Sequence, residues 1–136
     1  MRRRARCDRL AGMPAHRPED MVPTFEAAFN SGDIEQVMAL YEPDCVLVPQ
    51  PGQTVAGIAA IREALLGFLA VRGQIRLTSK RVLQNGDIAF VKSHWDLNGT
   101  GPDGSAVSLS GDTSEVIRKQ SDGTWRYVID DPFSLP

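Results

Sequence analysis

The chain has 136 residues, 42% hydrophobic and 24% charged, with a formal net charge of −2. That length allows one domain, which buries roughly 70% of its unfolded surface; the composition excludes a disordered chain, and no apolar run approaches the ~20 residues of a membrane span. Two cysteines, Cys7 and Cys45, exclude a disulfide framework and a zinc finger.

The net charge averages two unlike pieces. Residues 1–17 hold six arginines against the single acid Asp8, while the rest of the chain holds nine basic and sixteen acidic side chains. Such asymmetry can mark an arm for nucleic acid or membrane. The segment has no aromatic side chain to stack on bases and no apolar stretch of the kind a secretory signal needs. Gly12, Pro14 and Pro18 break any continuous helix. It reads either as a basic arm touching phosphates or the domain's own acidic face, or as a leader without structure. The expectation taken forward is a disordered basic leader over 1–18 and one domain over 19–136. Neither nucleic acid nor membrane is an expected partner, and the cytoplasm is the expected compartment.

The body reads as helices first. Met21, Phe25, Ala28 and Phe29 fall at helical spacing, with Glu19 and Asp20 where a helix dipole favours acids and Gly32 as a stop. Asp33 caps a second short helix whose apolar face is Ile34, Val37, Met38 and Tyr41, ended by Pro43. Residues 45–49 form a short strand before the Gln50-Pro51-Gly52 turn. Residues 58–70 form a third helix with Ile58, Ile61, Leu65 and Phe68 in one stripe.

Strands follow. Residues 74–84 lead into Asn85-Gly86, the strongest hairpin signal in the chain. Residues 87–98 alternate Ala89, Val91, Ser93, Trp95 and Leu97 against Phe90, Lys92, His94 and Asp96. A loop over 99–104, a strand over 106–119, a turn at Ser121-Asp122-Gly123 and a last strand over 124–130 complete the pattern. Helices followed by hairpin-linked strands make an α+β class.

Three stretches carry a family resemblance: NSGDIEQVMALYEPDCVLVPQPG (30–52), AGIAAIREAL (56–65) and VIRKQSDGTWRYVIDDPFS (116–134). The order and motifs resemble the SnoaL-like, or nuclear-transport-factor-2-like and ketosteroid-isomerase-like, superfamily over about residues 19–133. The resemblance implies a cystatin-like cone, in which three helices pack in a curved, mainly antiparallel sheet around an apolar pocket. It also implies a homodimer through the outer sheet face. The fold hosts enzymes, ligand binders and association modules alike.

Isomerase members of that superfamily use a tyrosine and a protonated Asp as an oxyanion hole, with a second Asp as base. By motif registration the tyrosine position is Phe25, the base position is Pro49 and the remaining acid is Glu115. Steroid isomerisation by that set is therefore not expected. The same registration places Thr113, Glu115 and Ile117 on the pocket face of one strand and Val128 and Asp130 on the next. Ser93 and Trp95, Leu47 from the first strand, and Ala64, Leu65 and Phe68 from the third helix complete the wall, with Phe25 behind.

Glu115 and Asp130 are the candidate acid–base pair, since two close buried carboxyls share a proton. The alternative pairs one of them with Arg118, Arg126 or a helix end, or leaves it wet at the mouth. Trp95 reads as pocket wall or core. Trp125 reads as outer-sheet packing or a dimer contact, and His94 as a surface partner of Asp96. Cys45 is a small apolar residue. The glycine-rich loop at 99–104 lacks the helix that phosphate binding needs. No metal or cofactor is expected. The leading function is binding of a small apolar ligand, with proton-transfer chemistry of an isomerase or cyclase kind on a hydrophobic carbonyl compound. The other readings are a non-catalytic dimerisation or ligand-sensing module and, third, an association domain.

Overall fold

Met21, Val22, Ala28 and Phe29 recur at helical spacing and are buried, and the chain folds there into α1, Met21–Ser31. Gly32 takes φ 76°, a left-handed value glycine adopts without a side-chain clash, and its N–H closes the helix on the Phe29 carbonyl. Asp33 caps α2, Ile34–Met38, by accepting from the Glu35 N–H at 2.9 Å. The third helix, α3, is Ile58–Leu69. The strands are β1 (Tyr41–Gln50), β2 (Gln53–Ala56), β3 (Gln74–Asn85), β4 (Ile88–Thr100), β5 (Ala106–Lys119) and β6 (Trp125–Ser134). The structure, a computed structural model, describes residues 12–135.

The three helices pack on one six-stranded, open, curved sheet in the order β2-β1-β6-β5-β4-β3. All neighbours are antiparallel except β1 and β6, which run parallel. The α+β expectation and the cone arrangement hold. The core lies between helices and sheet, around Met21, Val37, Tyr41, Leu47, Ile61, Val91 and Ile117. Burial of each such side chain contributes roughly 1.5–3 kcal/mol.

Three expectations change. The second helix ends at Met38 instead of reaching Tyr41, which opens β1 opposite Tyr127 and is 1% exposed. Tyr41 fits the period of both a helix face and a strand; its ring packing on Tyr127, centroids 5.0 Å apart, comes only with the strand. Trp125 is not on the outer face. It is 2% exposed, on the same side as Tyr127, and its N–H donates to the Ala15 carbonyl at 2.9 Å. The boundary at residue 19 falls too late for the described part of the expected leader. Ala15 and Pro18 are buried, and Ala15 bridges to Trp125. The expectation for residues 1–11 lies outside the described residues. No helix of the described residues is long and apolar enough to cross a membrane.

Candidate functional site

Alternation along β4 and β5 turns Ser93, Trp95 and Leu97, and Thr113 and Glu115, toward the helices. Together with Phe25 and Phe29 of α1, Leu65 and Phe68 of α3, Tyr41 and Leu47 of β1, and Tyr127 and Asp130 of β6, they line one cavity. It holds about 600 Å³ of space, mouth included, but only about 50 Å³ is open to the centre of a water molecule. It is therefore narrow.

Glu115 and Asp130 stand directly opposite each other in the β5–β6 register. They are 5% and 7% exposed, so both carboxyls are buried on one wall. The Asp130 carboxylate accepts the Tyr41 hydroxyl at 2.5 Å, the short distance of a charge-assisted bond. Glu115 is approached by the hydroxyls of Thr113 and Tyr127. Its Oε2 has no hydrogen-bond partner. No basic side chain reaches either acid among the described ion pairs, and Arg118, a possible partner on sequence grounds, binds Glu42 at 3.1 Å.

This setting disfavours charge. Burial, and then the Asp130 charge, push Glu115 up to about 8. Burial pushes Asp130 up to about 6, opposed by the Tyr41 hydrogen bond and aided by Asp131. Near neutral pH the pair therefore retains a proton, and the Tyr41 hydroxyl favours Asp130 as the member that carries the charge. Burial also raises both tyrosines well above their ordinary range, so both remain hydroxyl donors. Cys45, buried beneath, is pushed up to about 12 and stays an inert thiol.

Of the residues expected to form the pocket, Phe25, Leu47, Leu65, Phe68, Trp95, Thr113, Glu115 and Asp130 line the cavity; Ile117 and Val128 do not. Ile117 faces the same way as Glu115 but is fully buried in the core. Val128 is displaced by a β-bulge: Ile117 pairs with Tyr127 and Val116 with Ile129, which leaves Val128 without an opposite residue. The extra residue puts Tyr127 and Asp130, three apart, on the same face. Strict alternation from Asp130 selects Val128 and misses Tyr127. Ala64 packs against the core and does not line the cavity.

The two tyrosines are the functional side chains that sequence reasoning missed. Phe25 brings no hydroxyl to the cavity, but Tyr41 from β1 and Tyr127 from β6, the strand that carries Asp130, bring hydroxyls to the carboxyl pair. Trp95 is a wall held in place. Its Nε1–H donates to the Pro132 carbonyl at 2.7 Å, passing over Gly111, where a Cβ would lie 2.8 Å from that nitrogen. His94 faces outward, with Nδ1 3.2 Å from Asp112 and Nε2 3.4 Å from Asp96. Among the described residues no group of three or more His, Cys, Asp or Glu could hold a metal ion.

A family model described as a SnoaL-like domain matches residues 22–128. Among solved structures, a ketosteroid isomerase-like protein from Erwinia carotovora atroseptica is 28% identical, with a TM-score of 0.74 over 84% of this chain and 90% of that one. A protein from Xanthomonas campestris described as a candidate calcium/calmodulin-dependent protein kinase II association domain is 23% identical, with a TM-score of 0.72 over 87% and 85%. An NTF2-like protein with a cystatin-like fold from Novosphingobium aromaticivorans is 20% identical, with a TM-score of 0.67 over 82% and 75%. No match was found among curated proteins.

Proposed function

This chain belongs to the SnoaL-like domain family, and on that premise we propose that its cavity binds a small hydrophobic carbonyl compound and moves a proton on it. One observation carries the reading: the buried, unpartnered Oε2 of Glu115 on the cavity wall, opposite Asp130, whose carboxyl accepts the Tyr41 hydroxyl. A neutral carboxylic acid in an apolar site is a strong hydrogen-bond donor to a carbonyl oxygen. Asp130 is the base. It takes a proton from the carbon next to the carbonyl; the C–H electrons move into the new C=C bond, and the carbonyl oxygen takes the Glu115 proton or hydrogen bond. Asp130 returns its proton to another carbon as the C=C electrons shift and the carbonyl re-forms, and any proton passed to oxygen goes back to Glu115, which completes an isomerisation and restores the pair. Tyr41 positions Asp130, Tyr127 positions Glu115, and Trp95, Phe25 and Phe68 exclude water. The likeness to the Erwinia protein named ketosteroid isomerase-like supports this class of chemistry.

The test is exchange of α-hydrogens for deuterium in a panel of slender hydrophobic ketones, followed by NMR. Wild type is expected to exceed buffer, and Glu115→Gln and Asp130→Asn each to lower the rate on the order of 10²-fold or more. Exchange no faster than buffer, or unchanged in both variants, overturns the reading.

A second reading concerns the outer sheet face, and a row of side chains favours it. Leu83, Phe90, Val116, Ile129 and Val46 stand opposite one another in register across five strands. Leu83, Phe90 and Ile129 are exposed. A second copy of the chain covering this row makes a homodimer. Light scattering at micromolar concentration is expected to give twice the chain mass for wild type and the chain mass for Phe90→Glu; a wild-type monomer defeats this reading.

A further inference from the structure

The lining of the cavity is chemically one-sided. Two carboxyls and six aromatic rings (Phe25, Phe29, Tyr41, Phe68, Trp95 and Tyr127) face it, and no Lys, Arg or His does so among the described residues. The rings lie close together. Tyr41 and Tyr127 have centroids 5.0 Å apart, and Phe25 stands edge-on to Tyr127 at 5.8 Å. Ring faces carry negative potential and attract a desolvated cation. The Asp130 carboxyl is buried with no basic partner among the described residues, so that its charge would be compensated by a cation inside the same cavity. Glu115 Oε2 remains an open acceptor on the same wall once its proton leaves.

We propose that this cavity is also a site for slender hydrophobic organic cations: protonated alkyl- or arylalkylamines whose N–H groups bond Glu115 and Asp130 while their apolar bodies lie among the rings. The inference rests on the cavity being a ligand site, as in the carbonyl reading, but not on any proton transfer to carbon. It separates ligands that the carbonyl reading treats alike. An ammonium group meets opposite charge and ring faces. A neutral ketone of the same shape meets only the Glu115 donor, and an alcohol adds no more than a neutral hydrogen bond to Asp130. A carboxylate of the same shape meets a like charge and no cation. Binding draws the Glu115 proton into solution, since the ammonium favours the ionised acid. The titratable groups around the pair are Tyr41 and Cys45 on β1 and Tyr127 on β6, with Asp131 next in the chain on the other face of β6; α1 and α3 bring only apolar side chains to the cavity.

The experiment is calorimetric titration of the whole chain with 2-phenylethylamine, 2-phenylethanol and phenylacetate at pH 7 and fixed ionic strength. The amine is expected to bind roughly tenfold or more tighter than the alcohol, and phenylacetate weakest. The preference for amine over alcohol is expected to disappear in Asp130→Asn/Glu115→Gln, while the alcohol still binds. Alcohol binding as tight as amine in wild type overturns the cation proposal and leaves the carbonyl reading standing. A preference unchanged in the double variant also overturns it, by placing the amine elsewhere. Binding of none of the three overturns both readings, since the cavity then takes no slender aromatic ligand.

Discussion

Replacing Glu115 by glutamine removes a proton-binding group and keeps its shape. Unfolded, Glu115 ionises near its ordinary value of 4.5, whereas folded it ionises at about 8. Between those values the native state holds more protons than the unfolded chain, so wild-type stability falls as pH rises and levels off above about 8. Each pH unit of that interval is worth about 1.4 kcal/mol for one fully buried group. The loss across the interval is therefore of order 5 kcal/mol, comparable with the lower end of the roughly 5–15 kcal/mol that holds a domain together. The amide introduced by Glu115→Gln cannot ionise, so the variant's profile lacks this fall. That amide loses at most about 1 kcal/mol in the hydrogen bond with Tyr127. The two profiles are expected to cross: near pH 5 wild type equals or exceeds the variant, and at pH 8.5 the variant is more stable by about 3 kcal/mol. Urea unfolding between pH 5 and 9, at fixed ionic strength and protein concentration, measures this directly, with a common m-value as the check that only stability has changed. Parallel profiles refute the reasoning, because they mean that Glu115 ionises alike in both states and is wet in the folded one.

Tyr41→Phe removes the hydroxyl that holds the Asp130 charge at 2.5 Å. It is expected to cost about 1.5–3 kcal/mol at pH 8 and less at pH 4, where Asp130 is protonated, as measured by urea unfolding at both pH values. Gly111→Ala puts a methyl group where the Trp95 indole and the Pro132 carbonyl meet, and is expected to destabilise by about 1–3 kcal/mol and red-shift the tryptophan emission. In a Cys7→Ser background, Cys45 is expected to resist a thiol reagent at pH 8 until the protein unfolds, so its labelling rate should track denaturant-induced opening.

How much was legible depended on the kind of regularity involved. The α1 and α3 stripes, the Asn85-Gly86 hairpin and the alternation over 87–98 are local periodicities, and each appears in the fold with ends shifted by a few residues. Glu115 and Asp130 were legible as a pair because motif registration and alternation agree on them. Tyr127 was not, because the bulge at Val128 breaks the alternation and leaves no mark in the residue types on either side of it. Tyr41 was not, because four residues beyond Val37 it satisfies a helix stripe as well as a strand. Trp125 was assigned outward by the same unbroken alternation that favoured Val128.

The amino-acid order alone therefore determined the class, the helices-then-strands layout, the outward His94 and the two acids on adjacent strands, since all of these follow from short-range spacing. Tertiary structure decided which hydroxyls meet those acids, that no cation among the described residues does, and that one carboxyl oxygen is left without a partner among them. Those facts depend on a parallel pairing between β1 and β6, elements more than eighty residues apart in the chain, and on a single extra residue in β6. Spacing within a segment fixes which face a side chain takes; only long-range pairing brings the faces of different segments together.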